Sequence, residues 1–69
     1  MRRTFVLHRA EDVSGVSGTG VVAEGAMFSD GTAVVHWLGK HSSTTVWPSI
    51  DSMIAINGHG GRTQVVYDE

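Results

Sequence analysis

Residues 20–39, which read GVVAEGAMFSDGTAVVHWLG, constrain the fold more than any other stretch of the chain. Two apolar runs flank Asp30-Gly31, with Ser29 and Thr32 on either side. Asp-Gly suits a two-residue type I′ turn, because both central positions need φ > 0, which Gly adopts freely and Asp tolerates. The stretch therefore predicts a β-hairpin.

The two-residue turn also predicts a register, in which Ser29 pairs with Thr32 and Glu24 faces Trp37. Directly paired residues share a face of the sheet, and faces alternate along each strand. One predicted face holds Val22, Glu24, Ala26, Phe28, Ala33, Val35 and Trp37; the other holds Val21, Ala23, Gly25, Met27, Val34, His36 and Leu38. The first face carries the aromatic residues and is the predicted core. Because neither face is polar, we expect the second to be covered by the rest of the fold or by another subunit.

The remaining segments predict further short strands. Residues 4–8, 44–47 and 63–67 are rich in β-formers; Pro48 ends the second of them, and Ser49 can cap a single helical turn over residues 50–52. Residues 53–56 could lengthen that turn into a helix, but a strand is the preferred interpretation. The predicted fold is all-β: a small antiparallel β-barrel, SH3-like, with five or six short strands and one helical turn.

Length and composition limit the function classes. The 69 residues predict one domain spanning 1–69, and a chain this short buries only roughly 60% of its unfolded surface. It has no cysteine, which excludes disulfides and thiolate metal sites and suits a reducing cytoplasm. We therefore expect a homo-oligomer, with no metal and no cofactor.

Charge and hydropathy add two further expectations. The net charge of −2 argues against a dedicated nucleic-acid binder. No apolar run approaches the roughly 20 residues of a membrane span, and the N-terminus has no signal-peptide core. A cytoplasmic protein is expected.

Three arginines, Arg2, Arg3 and Arg9, lie in or beside the first predicted strand. They could contact phosphates. A solvated sheet edge that resists aggregation is the preferred interpretation.

Two glycine-rich segments are candidate anion sites. Residues 10–20 include Ser17 and Thr19 and could form a backbone nest, although a plain connection between strands explains them as well. Near the C-terminus, His59, Gly60, Gly61 and Arg62 combine a titratable ring, a guanidinium group and free N–H groups, which would suit a phosphate or carboxylate. The alternative is a surface turn.

Glu24 opposite Trp37 is the remaining candidate. A buried carboxylate needs a partner, so Glu24 is either a paired structural acid or part of a pocket in which Trp37 stacks on a nucleobase. Trp47 is a second possible platform, although tryptophans in so small a domain are mostly core residues. No nucleophile elbow or paired-carboxylate motif is present, so we expect no catalytic residues and no enzyme.

Several motifs together resemble short uncharacterised proteins of actinobacteria, haloarchaea and their phages. They are residues 13–25 (VSGVSGTGVVAEG), 28–32 (FSDGT), 37–38 (WL) and 58–61 (GHGG). The resemblance covers most of the chain, and it implies a phage or mobile-element setting but assigns no site.

Three functions follow as hypotheses. The first is a non-catalytic homo-oligomer that binds a small anionic ligand such as a nucleotide signal, with a phage anti-defence role. The second is a docking module for a host or virion protein, which would use Met27, Val34 and Leu38. The third is nucleic-acid binding through the N-terminal arginines.

Overall fold

The computed structural model describes residues 2–9, 20–58 and 61–68. They contain five strands and one helix: β1 (Arg3–Arg9), β2 (Gly20–Met27), β3 (Ala33–Trp37), β4 (Ser43–Trp47), α1 (Ile50–Asn57) and β5 (Thr63–Tyr67). All neighbouring strands are antiparallel, in the order β4-β3-β2-β1-β5. The predicted fold class, a small antiparallel all-β fold with one helical segment, is confirmed. The sheet is barrel-like but not closed, so β4 and β5 are its edges within the described residues.

The turn of the β2–β3 hairpin is one residue longer than predicted. Phe28 N donates to Thr32 O (2.8 Å), and Gly31 N donates to Phe28 O (3.0 Å). The loop therefore consists of residues 29–31, with Gly31 at φ 95°. A three-residue loop that ends on a glycine with positive φ is a type I turn followed by a bulge, and it accommodates Asp-Gly as well as the type I′ turn does. The predicted two-residue turn is wrong.

This longer turn shifts the predicted register by one residue. Glu24 pairs with His36, and Trp37 pairs with Ala23. Because directly paired residues share a face, Glu24 and Trp37 lie on opposite faces, and their predicted pairing is wrong. The core-facing residues of β3 are as predicted, whereas β2 turns the opposite set inward; these inward residues are Ala33, Val35 and Trp37 on β3, and Ala23, Gly25 and Met27 on β2.

A bulge in β2 buries one further residue. Leu7 pairs with Ala23 but His8 pairs with Val21, so β2 has one extra residue at this point. The extra residue, Val22, is only 2% exposed. The bulge thus lets two consecutive residues of β2 enter the core.

Helix α1 covers the core face of the sheet. Its fully buried Met53 joins a cluster with Phe5, Leu7, Val22, Ala23 and Val35. Ile50 and Ile54 pack against the same cluster, so three apolar residues at i, i+3 and i+4 form one stripe. This stripe needs helical geometry, and the predicted strand at 53–56 is wrong.

A local hydrogen bond caps each end of α1. The Ser49 hydroxyl accepts from Ser52 N (3.1 Å), which confirms the predicted N-cap. At the other end, Gly58 N donates to Ile54 O (2.7 Å). A Cβ on Gly58 would lie 2.6 Å from that same oxygen, so only glycine fits there.

The other side of the sheet is here called the open face. It consists of Thr4, Val6, His8, Val21, Glu24, Ala26, Val34, His36, Thr44, Val46, Gln64 and Val66. Val46 is 67% exposed and Val66 48% exposed. Within the described residues, the rest of the fold leaves this face exposed, and cover by another subunit, the other alternative, stays a prediction.

Arg9 does not belong to a solvated edge. Strand β1 lies between β2 and β5, and Arg9 is only 2% exposed. Its Nε donates to the Thr63 hydroxyl across the β1–β5 pair (2.9 Å). The edge prediction for the arginines is wrong because β1 is an inner strand.

Candidate ligand site

A shallow cleft of about 230 Å³ opens at the hairpin end of β1 and β2. Arg3 pairs with Met27 and Thr4 pairs with Ala26, so this register brings the start of β1 beside the end of β2. We call this site the arginine cleft; its lining residues are Arg2, Arg3, Thr4, Ala26, Met27 and Phe28. The exposed lining of the cleft is almost entirely apolar, so Arg2 and Arg3 line it with side-chain carbon and hardly any guanidinium nitrogen faces into it.

Arg3 is held in position by the core. Its guanidinium carbon lies 3.9 Å from the centroid of the Tyr67 ring. Tyr67 in turn makes an edge contact with the buried ring of Phe5, at 6.0 Å between centroids. A cation over an aromatic face is attracted by the ring quadrupole, so Arg3 has a defined position before any ligand arrives. Arg2 is exposed.

Phe28 and Met27 supply the apolar part of the cleft. Phe28 is 48% exposed, although it directly follows β2. Met27 is half-buried and packs against the core. An exposed ring on a rigid hairpin is a surface on which a planar ligand can stack.

A carboxylate stands beside the cleft. The Thr4 hydroxyl donates to Asp68 Oδ2 (2.7 Å), and Asp68 N donates to Thr4 O (3.0 Å). Asp68 therefore extends the β5 end alongside β1. Its negative charge partly offsets the attraction of the arginines for an anion.

The predicted glycine-rich loop is described only in part. Gly58 O accepts from Gly61 N (3.1 Å) and from Thr63 N (3.0 Å), and Gly61 has φ 91°. Arg62 is exposed. His59 and Gly60 lie outside the described residues, and so do Ser17 and Thr19, so these four stay predictions.

The strand register nevertheless relates the two predicted loops to each other. Arg9 pairs with Gly20 on one side and with Thr63 on the other. The strand ends at Arg9, Gly20 and Thr63 are therefore adjacent. This end lies about 20 Å from the arginine cleft, because β1 runs between them. The loop site and the cleft are two separate candidate sites.

Glu24, Trp37 and Trp47 do not form a common pocket. Trp37 Nε1 and Trp47 Nε1 both donate to the Thr45 hydroxyl, at 3.1 Å and 2.9 Å. Both indoles pack half-buried against the core, whereas Glu24 is exposed on the open face beside His36. The predicted pocket of Glu24 and Trp37 is wrong, and the two tryptophans are core residues.

The three predicted docking residues lie on different parts of the fold. Met27 packs against the core, Val34 lies on the open face, and Leu38 follows the end of β3. The one-residue change of register separates Met27 from Val34. These three residues therefore do not form one surface.

A family model described as "Acb5 phage protein" matches residues 2–69. The chain belongs to the Acb5 phage protein family. The phage setting implied by the sequence resemblance is thereby confirmed, while the actinobacterial and haloarchaeal part stays a prediction. No curated protein and no solved structure matches the chain.

Residues 2–9, 20–58 and 61–68 of this Acb5 phage protein hold neither a metal-binding cluster nor a helix that could cross a membrane. These residues contain no group of three or more His, Asp or Glu side chains arranged to hold a metal ion. The helix that they contain, α1, has eight residues and is too short to cross a membrane.

Sequence reasoning misses the arginine cleft of this family member. The strand pattern predicts an edge position for Arg2 and Arg3 and a buried face for Phe28. The available signal is that Arg2 and Arg3 begin one strand while Phe28 ends another just before a turn. If those two strands are antiparallel neighbours, the three residues meet at one end.

Proposed function

We propose that this Acb5 phage protein is a non-catalytic binding protein that takes a small anionic ligand of the nucleotide class in the arginine cleft. The observation that supports this best is the meeting of Arg2, Arg3 and the exposed ring of Phe28 around one apolar cleft. In a phage, such binding serves an anti-defence role by withdrawing a nucleotide signal from the host.

The two guanidinium groups favour a phosphorylated ligand. An Arg side chain presents N–H donors in a planar fork that matches two phosphate oxygens. The Tyr67 ring already orients Arg3, so less conformational entropy is lost when Arg3 binds an anion. Arg2 is the more mobile donor because it is exposed and precedes β1.

The apolar floor distinguishes a nucleotide from simple phosphate. Stacking of a base on an aromatic side chain contributes about 1–3 kcal/mol. Phe28 can supply that contact at the same cleft in which the arginines meet the phosphate. Inorganic phosphate gains nothing from the ring, so its affinity should be much lower.

The size of the cleft limits what it encloses. About 230 Å³ is below the roughly 300–1,000 Å³ of most ligand pockets. The cleft therefore encloses about one base, while the phosphate lies at its edge beside the guanidinium groups and the remainder of a larger ligand stays outside it.

The lining of the cleft supports binding rather than catalysis. Its only hydroxyl, on Thr4, already donates to Asp68. General acid–base catalysis needs a group that exchanges protons near neutral pH, usually His, Glu or Asp, and no such residue is among the described lining.

The test is calorimetric titration of the purified chain with a panel of mononucleotides and cyclic dinucleotides, with inorganic phosphate as the simple-anion probe. The double variant Arg2→Ala/Arg3→Ala should lower affinity at least about tenfold, since it removes two charge-assisted hydrogen-bonding groups. Phe28→Ala should weaken nucleotide binding and leave phosphate binding unchanged.

Arg62→Ala is the matched control, because it removes an arginine at the other end of the sheet. Unchanged nucleotide affinity in Arg62→Ala supports the arginine cleft. If Arg62→Ala abolishes binding while the cleft variants bind normally, the loop predicted from His59, Gly60, Gly61 and Arg62 is the site and the cleft is not. If no member of the panel binds the wild type, the proposed function is wrong.

A single-stranded oligonucleotide separates this proposal from nucleic-acid binding. Binding through several phosphates weakens steeply as salt rises: the logarithm of the binding constant falls with the logarithm of the salt concentration, with a slope of about −0.7 for each phosphate contacted on a single strand. A slope that corresponds to one or two contacts fits a small ligand. A slope that corresponds to many contacts would instead favour the third hypothesis.

A further inference from the structure

The open face is an exposed surface with apolar residues along its whole width. Val46 on β4 is 67% exposed, Val21 on β2 49%, and Val66 on β5 48%. Val6, Ala26 and Val34 lie between them, half-buried. Half of the twelve residues of this face are apolar, and exposed apolar residues that lie among polar ones can mark an interaction surface.

Two polar residues stand at the middle of this face. Glu24 on β2 and His36 on β3 are direct cross-strand neighbours, and both are exposed. His36 Nδ1 is 2.9 Å from the Thr44 hydroxyl. This contact orients the ring through Nδ1, and Nε2 can bond to a group outside the sheet.

We infer that the open face binds a second copy of this chain, face to face, about a two-fold axis that runs parallel to the strands between β2 and β3. This axis lays β2 of each copy over β3 of the other. Glu24 then meets the second copy's His36, and its symmetry mate makes the same contact, as an isologous interface requires. In the next row, Ala26 meets the second copy's Val34 and Thr4 meets its Val46.

Charge complementarity selects this axis and this occupant. An axis perpendicular to the strands would lay each strand over itself and bury Glu24 against the second copy's Glu24 or Ala26, with only His36 of its own chain beside it. Such burial costs several kcal/mol. Along the strands, the acid meets imidazole, Ala26 meets Val34, and the outer pairs are valine with threonine, so no carboxylate is buried against an apolar side chain.

The area of the face indicates how stable the dimer should be. Four overlapping strands, spaced by about 4.8 Å and about 20 Å long, give roughly 400 Å² of flat face per copy, and interdigitated side chains add to it. This is near the lower limit of about 1,000 Å² in total for a specific interface. A dimer with so small an interface should be weak, so that dimer and monomer coexist at micromolar concentrations of the chain.

The dimer also bears on the proposed function. Thr4 and Ala26 belong both to the open face and to the arginine cleft. The second copy's β3 and β4 therefore lie beside the cleft and add a wall to a site that is small by itself. This step rests on the proposed function, whereas the dimer does not.

Sedimentation equilibrium over about 1–100 µM tests the interface without any ligand. The wild type should show a monomer–dimer equilibrium. Val46→Glu should be monomeric, because it sets a carboxylate against the second copy. Ile56→Glu is the matched control: Ile56 is 69% exposed, but it lies on α1 and away from the face. It should dimerise as the wild type does.

A charge-swap pair tests the contact between Glu24 and the second copy's His36. Glu24→Lys alone sets lysine over histidine, and His36→Glu alone sets glutamate over glutamate, so each should be monomeric. Their mixture should form a one-to-one dimer, in which the introduced lysine of one variant meets the introduced glutamate of the other, and the unchanged Glu24 meets the unchanged His36. Circular dichroism of each variant shows whether it is folded.

Four results would overturn the inference. They are a wild type that stays monomeric at the highest concentration, a dimer that persists in Val46→Glu, a dimer lost equally in Ile56→Glu, or folded charge variants that do not associate when mixed. Ligand titration of monomeric Val46→Glu separates the two proposals. If its nucleotide binding is undiminished, the inferred dimer still stands, but the second copy contributes nothing to the cleft.

Discussion

Replacement of Gly25 by alanine is the sharpest test of the register that positions the site. Gly25 lies on the core face of β2, opposite Phe5 on one side and Val35 on the other. A Cβ at this position would lie 2.5 Å from Phe5 Cζ and 2.6 Å from Val34 O. Both distances are shorter than real Cβ contacts, and Val34 O is a backbone atom that cannot turn aside.

The expected loss follows from this overlap. Overpacking a core by one methyl group typically costs about 1–3 kcal/mol. In a domain of 60–100 residues, each kcal/mol lowers Tm by roughly 4–8 °C. Gly25→Ala should therefore lower Tm by at least about 4 °C. Glu24→Ala, at the exposed neighbouring position, should change stability by less than about 0.5 kcal/mol when it is measured at a concentration at which the chain is monomeric.

Thermal unfolding and urea unfolding, both followed by the fluorescence of Trp37 and Trp47, measure the Tm and the free energy of unfolding of both variants. A double-mutant cycle with Phe5→Leu adds a specific check. If the Phe5 ring is the obstacle, Phe5→Leu should cost less in the Gly25→Ala protein than in the wild type, with a coupling of about 0.5–3 kcal/mol. A Gly25→Ala variant as stable as Glu24→Ala would refute the packing of Phe5 on Gly25 and the register with it.

Three further predictions concern the helix cap, the turn and the cleft. Ser49→Ala removes the hydroxyl that accepts from Ser52 N and should cost about 1 kcal/mol in urea unfolding, while Ser49→Asp should retain most of the stability. The hydrogen bond from Thr32 N holds the pKa of Asp30 below its usual value. A carboxyl with a lowered folded pKa stabilises the hairpin above its unfolded pKa of about 3.9, and this contribution disappears as pH falls through the folded pKa; Asp30→Asn should flatten the pH dependence of Tm below about pH 4. Asp68→Asn removes the negative charge beside the cleft and should tighten nucleotide binding by roughly twofold, because the repulsion between nearby unit charges in water is on the order of 0.5 kcal/mol. Weaker binding would contradict the placement of the ligand.

The strands and the helix cap could be predicted because their signals are local. Alternating β-formers at residues 63–67, Pro48 after β4 and Ser49 before α1 act within a few residues of themselves. The helix beyond the cap could not be predicted in the same way. Residues 53–56 satisfy strand and helix propensities alike, and only the packing of Met53 against the sheet decides between them.

The register was beyond sequence reasoning for a physical reason. Asp30-Gly31 fits a two-residue turn and a three-residue turn equally well, and the two differ by one residue in every pair that follows. The bulge at Val22 adds a second shift that depends on β1, a strand distant in sequence. Burial of Arg9 likewise depends on β5 lying beside β1, which is a non-local pairing.

The arginine cleft could not be predicted for the same reason. Arg2 and Phe28 come together only because the start of β1 lies beside the end of β2. Residue types alone favoured the glycine-rich loop around Arg62, which has the composition of an anion site. Composition suggested the ligand class, whereas strand order is needed to locate the site.

Native mass spectrometry of the chain, expressed in a bacterial host that makes nucleotide signals and purified gently, tests the central claim most directly. The wild type should carry extra mass of the size of a nucleotide, which denaturation releases, and Arg2→Ala/Arg3→Ala expressed in the same cells should carry none. An Arg62→Ala sample should retain the ligand. Wild-type protein that is free of ligand, and that stays so after nucleotides are added, would contradict the account.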